Sequence, residues 1–229
     1  MTHLSRSLQA LACLVPCFIM GALAHRPHVD DGTHTSIANA WEFPDTTIAR
    51  VYLTYFDCPS VAVWTKVNIT NTTAPLTVGV GIPNATAQLD YRPSLWAIGQ
   101  NLIIPDDYQN DSDRNVGDSQ VAKGPRVPRG YTAIEYPSEG STVWQPFREE
   151  AHDESGYGFL RAKIQVSQPG MVYLVLQPLE NRRARAFISM GTDETAAKEA
   201  GSPKDVDYLA WFSETSLPRL GEYCEPWSE

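Results

Sequence analysis

Past residue 24 this sequence has no second hydrophobic run of membrane length. Its C-terminus, Gly221–Glu229, is polar and lacks the apolar tail of a glycolipid-anchor signal. No internal repeat, no Gly-x-Ser-x-Gly elbow and no phosphate-cradling glycine loop occurs. Basic charge is scarce, with 18 Lys and Arg against 27 Asp and Glu. Each absence removes a class of function. No membrane span is expected in the mature chain. The acid excess argues against nucleic acid and anionic membrane surfaces as partners. The missing motifs leave serine hydrolysis and nucleotide chemistry without support.

The one long apolar run stands at the start. Met1–Gln9 carries a single positive charge, Arg6, and Ala10–Ala24 is too short to span a bilayer. It closes on Ala22-Leu23-Ala24, small residues where a signal peptidase reads. Residues 1–24 are therefore expected to be a secretory signal, with His25 the new N-terminus of a secreted, extracellular chain. What remains suits one domain, or one domain and a tail. It carries 17 basic and 27 acidic residues, because Arg6 leaves with the signal.

Of four cysteines, Cys13 and Cys17 lie in the signal. Cys58 and Cys224 remain, and in an oxidising compartment two thiols usually pair. The alternative is two free or intermolecular thiols. Four sequons follow within about 45 residues, at Asn68, Asn71, Asn84 and Asn110. Glycans need solvent, so this stretch is expected to be turns and an exposed edge.

Ile48–Phe56, Val61–Ile69 and Leu76–Ile82 read as strands; the first alternates imperfectly and is rich in β-branched and aromatic residues, and the second puts Val61, Val63, Thr65, Val67 and Ile69 on one face. Short strands are expected at Ser94–Ile98 and Leu102–Ile104, then at Tyr131–Glu135, Val143–Phe147, Gly158–Val166, Val172–Leu176 and Ala184–Met190. Gln168-Pro169-Gly170 reads as the turn of a hairpin. Pro105–Arg129 has almost no apolar periodicity, and a loop that long is usually functional or disordered. The polar stretch 25–35 reads as an extended arm, 36–191 as the domain, and 192–229 as a helical or irregular tail. The fold class expected is all-β: an antiparallel β-sandwich, jelly-roll-like, with a short helical C-terminal tail.

Several segments carry a resemblance: Thr47–Tyr52, Val78-Gly79-Val80-Gly81-Ile82-Pro83, Tyr91–Gly99, Trp144-Gln145-Pro146-Phe147 and Pro169–Val175. Together they resemble a group of uncharacterised secreted proteins whose sandwich is similar to bacterial prepeptidase C-terminal and related jelly-roll modules. The resemblance implies a fold. It brings no catalytic residues with it.

Candidate chemistry is sparse. A histidine at a mature N-terminus offers an imidazole and an amine, and a second histidine completes a site suited to copper. The second ligand to His25 would be His28, His34 or His152. His28 is sterically awkward, which favours His152, set in Glu149-Glu150-Ala151-His152-Asp153. Asp111, Asp113 and Asn115 sit at positions 1, 3 and 5 of a calcium loop. There, glycine falls at position 7 and Ala122 replaces the bidentate glutamate. Glu149, Glu150, Asp153 and Glu154 would be the pair-forming acids of a glycosidase, but read more simply as a charged loop tip. Trp64 lies on the face opposite Val61, Val63, Val67 and Ile69, and is the candidate for an exposed sugar-stacking ring. The reading is a non-catalytic extracellular binding or surface module, whose partner would be a protein or a carbohydrate. The alternatives are a copper protein built on His25 and a structural wall or matrix component.

Overall fold

The computed structural model describes residues 26–58, 60–105, 124–138, 145–149, 154–192, 211 and 219–225. Their strands are β1 (Arg26–Val29), β2 (Trp41–Phe43), β3 (Arg50–Phe56), β4 (Val63–Ile69), β5 (Leu76–Pro83), β6 (Ser94–Gly99), β7 (Thr132–Tyr136), β8 (Gln145–Glu149), β9 (Glu154–Ile164), β10 (Gly170–Gln177) and β11 (Ala184–Met190). Two short 3-10 turns, Ile37–Asn39 and Thr86–Gln88, join them.

The strands form two mixed sheets packed as a sandwich. One runs β1-β3-β11-β5-β9-β8 and the other β2-β4-β10-β6-β7. Four antiparallel pairs nest inside one another along the chain: β3 with β11, β4 with β10, β5 with β9, and β6 with β7.

Alternation in the sequence becomes burial in the fold. On β4, Val63, Val67 and Ile69 join the central core; on β11, Ala184, Ala186, Ile188 and Met190 do the same. Each fully buried valine, isoleucine or methionine among them contributes roughly 1.5–3 kcal/mol, and the alanines less. Both outer faces also carry apolar clusters. Trp64, Trp96, Ile98 and Val175 pack together on the five-stranded sheet beneath Ile37, Ala40, Val127 and Tyr131. Leu53, Phe187 and Trp211 pack together on the six-stranded sheet.

The structure departs from the sequence expectations at several places. The sheets are mixed, because β1 pairs parallel with β3 and β2 parallel with β4. Each parallel pair is joined through a strand of the opposite sheet, which supplies the crossover that a parallel pair requires. The supposed N-terminal arm thus contains an edge strand, β1. The turn at 168–170 is not a hairpin. β9 and β10 belong to different sheets, and the chain crosses between them at 165–169. Ser167 N–H donates to Asn101 O (2.8 Å) and Ile103 N–H to Gln165 O (2.9 Å), which pins that crossing. Leu102–Ile104 accordingly contributes one bridge, Leu102 to Val166, and no strand. The helical tail lies outside the described residues except for Trp211 and 219–225.

Candidate functional site

The far end of the chain is fastened first. Cys58, just after β3, is disulfide-bonded to Cys224, with 5.5 Å between their Cα atoms. Around the bridge, Arg183 N–H donates to Glu222 O and Cys224 N–H to Asn181 O. Arg182 is 3% exposed and ion-paired to Asp90 and Glu180. Its guanidinium also lies over the rings of Tyr91 and Tyr223, at 5.2 and 5.6 Å. Asp57 accepts from Cys58 N–H and from Arg183 Nε, and these bonds hold its carboxyl below the usual aspartate range.

The second assembly lies where the edge strand β1 ends, beside Leu53 and Thr54 of β3. Asp30 N–H donates to Leu53 O (2.8 Å), extending the β1–β3 ladder by one residue. Gly32 then turns the chain with a φ of 81°, a conformation glycine adopts without the steric cost of a Cβ. His34 reaches the other sheet, its carbonyl accepting from Trp64 N–H (2.7 Å). This turn therefore straps the edge of one sheet to β4 of the other and brings three ligand-type side chains together. His34 Nδ1 lies 3.1 Å from Asp30 Oδ1 and 3.3 Å from Asp31 Oδ1.

The two carboxylates differ in environment. The Asp30 side chain is 3% exposed, and it accepts from Gly32 N–H (3.0 Å) and from Thr54 Oγ1 (2.8 Å). Asp31 is exposed, and Thr33 donates to it from Oγ1 (2.6 Å) and N–H (2.9 Å), which keeps its carboxyl below the ordinary range. Beside them is an aromatic wall. His28 stacks on Trp41 at 4.4 Å and on Tyr52 at 5.5 Å. Burial, reinforced by His34, pushes the His28 imidazole below 6.5. Tyr52 is fully buried; burial and the charge of Asp30 push its hydroxyl far above the usual phenol range.

A third feature is an open groove of about 560 Å³ across the start of β5 and the end of β11. Thr46, Thr47, Asn71, Thr77, Arg161 and Ser189 are among the residues that line it, and no aromatic ring does. Hydroxyl and amide groups of this kind suit a hydrated polar ligand.

The residues singled out in the sequence fare differently. Asn68, Asn71 and Asn84 are exposed, as glycan acceptors must be. Asn110, the calcium candidates Asp111, Asp113 and Asn115, and the copper candidates His25 and His152 lie outside the described residues. So does the greater part of the Pro105–Arg129 loop. Trp64 points to the outer face as its spacing requires, but it is 5% exposed. The 37–40 and 124–131 segments cover that face, and the indole is core rather than a platform for sugars. The cluster of Asp30, Asp31 and His34 was missed. Its signal was present in Asp30-Asp31-Gly32-Thr33-His34, where a glycine turn brings residues three and four apart together.

No protein-family model matches this chain. A search of curated proteins finds no match either. Among the described residues, no helix is long and apolar enough to cross a membrane.

Proposed function

We propose that this chain is a secreted, N-glycosylated jelly-roll module that binds a protein or a carbohydrate outside the cell without transforming it. The observation that carries the reading is the Cys58–Cys224 bridge, which ties residues 166 apart in sequence. Such a tie persists in oxidising compartments and is rare in reducing ones. The exposed sequon residues Asn68, Asn71 and Asn84 are in keeping with it, as is the leader-like sequence of 1–24. The nested antiparallel pairs support the jelly-roll assignment, which the resemblance to prepeptidase C-terminal-like modules also implies. Recognition falls to the connecting segments, which a rigid sandwich leaves free to carry contacts. The long 105–129 connection and the groove near β5 and β11 are the surfaces offered.

Expression of the whole chain in a eukaryotic secretory host tests this. The expected product appears in the medium, begins at His25, loses mass on enzymatic deglycosylation and shows no free thiol. It then retains a ligand on arrays of extracellular glycans or matrix proteins. A chain that stays inside the cell, unglycosylated and with both thiols free, would refute the reading.

A further inference from the structure

We infer that the turn leaving β1 is a binding site for one divalent first-row transition cation, held by Asp30, Asp31 and His34. The inference does not depend on the secretory reading.

Geometry comes first. Two ligand atoms bonded to one cation at about 2.1 Å stand roughly 3.0–3.4 Å apart when the angle between them is octahedral or tetrahedral. The Nδ1 of His34 is 3.1 Å from Asp30 Oδ1 and 3.3 Å from Asp31 Oδ1, and the three donors all lie within 4.8 Å of one another. An imidazole nitrogen carries at most one proton, which cannot make two good hydrogen bonds to two carboxylates. A cation can satisfy all three donors at once.

The donors are also held in place beforehand. Gly32 N–H and Thr54 Oγ1 fix Asp30, both groups of Thr33 fix Asp31, and the His34 carbonyl is tied to β4 through Trp64 N–H. Binding therefore orders little that is not already ordered.

The second, independent observation is Tyr52. Its side chain is fully buried, and its hydroxyl stands against the Asp30 carboxylate without a hydrogen bond of good geometry. A buried hydroxyl so poorly paired calls for an explanation. A water ligand on a cation at this turn would give it a well-aligned partner. The rings of Trp41 and His28 pack beside Tyr52 and cover that side of the site.

Donor chemistry selects the class of ion. One imidazole with two carboxylates suits zinc, manganese or iron(II) better than calcium, which prefers six to eight oxygens. Three protein ligands leave coordination positions for water.

The test titrates the whole chelator-stripped chain with zinc chloride by calorimetry. One equivalent is expected to bind. Asp31→Asn and His34→Gln should each weaken it by at least about tenfold, whereas His25→Ala should leave it unchanged. Asp31 is 65% exposed, so its variant removes a ligand atom without opening the core. X-ray absorption on the zinc-loaded parent gives a reading that no variant can spoil by misfolding. It should report one imidazole among oxygen ligands. Absence of stoichiometric zinc binding would overturn the proposal. So would binding at parent strength in both turn variants, loss of binding in His25→Ala, or a spectrum with two or more imidazoles.

Discussion

Removing both cysteines, as Cys58→Ala with Cys224→Ala, is the most informative stability experiment on this fold. The bridge joins residues 166 apart, and between them lie β4 to β11, eight of the eleven strands, with β1, β2 and β3 before it. Closing a loop of that length in the unfolded chain costs about 5 kcal/mol of entropy in the chain-entropy treatment. That is a large share of the 5–15 kcal/mol typical of a whole domain. The folded side changes less. Segment 219–225 keeps its backbone bonds to Asn181 and Arg183 and its contacts with Arg182, so it has reason to stay docked without the bridge. The expected loss is thus close to the entropic figure. Urea unfolding followed by tryptophan fluorescence measures it. With a slope of about 2 kcal/mol per molar, the midpoint should fall by about 2.5 M. The slope itself should rise, because the uncrosslinked denatured chain exposes more surface. A midpoint shift under about 0.5 M with an unchanged slope would refute the argument that the bridge acts on the unfolded state.

Three further outcomes follow from particular contacts. Gly191→Ala should cost at least about 1–3 kcal/mol, since Gly191 has a φ of 78° and a Cβ there would sit 2.1 Å from Ile48 O; an unchanged thermal midpoint would contradict this. Trp64→Ala should lose roughly 3–5 kcal/mol as a buried ring is removed, and a variant as stable as the parent in denaturant would show that the indole is not core. Acid should also weaken the fold. Asp45 and Asp57 have carboxyls held below their unfolded values, Asp45 by the N–H and hydroxyl of Thr47 and Asp57 by Cys58 N–H and Arg183. Their contribution is therefore full above about pH 4 and is lost as pH falls through the folded values. Both groups are largely solvent-accessible, so the effect is modest. Asp57→Asn should flatten the acid limb of stability against pH, and an acid limb as steep as the parent's would count against this assignment.

Much of the fold was legible in the sequence because alternation reports which way a side chain faces. Ala184–Met190 was read as a strand with the bounds that β11 has, and Trp64 was placed on the face it occupies. Asn68, Asn71 and Asn84 were expected in solvent and lie there, but the stretch is not the run of turns and exposed edge expected, because Asn68 is on β4 and β4, β5 and β6 are all interior strands. The two cysteines left beyond residue 24 had only each other as partners within one chain. Alternation says nothing, however, about which strand is the neighbour or which way it runs. The parallel edges of β1 and β2, and the crossing at 165–169 that replaced a hairpin, depended on how the two sheets close on each other. The burial of Trp64 was decided by segments 37–40 and 124–131, which fold over it from elsewhere in the chain. The Asp30, Asp31 and His34 cluster was local and could have been read from its glycine turn. Its meeting with the Tyr52 hydroxyl and Thr54 could not, because only the pairing of β1 beside β3 brings those side chains to the same sheet edge.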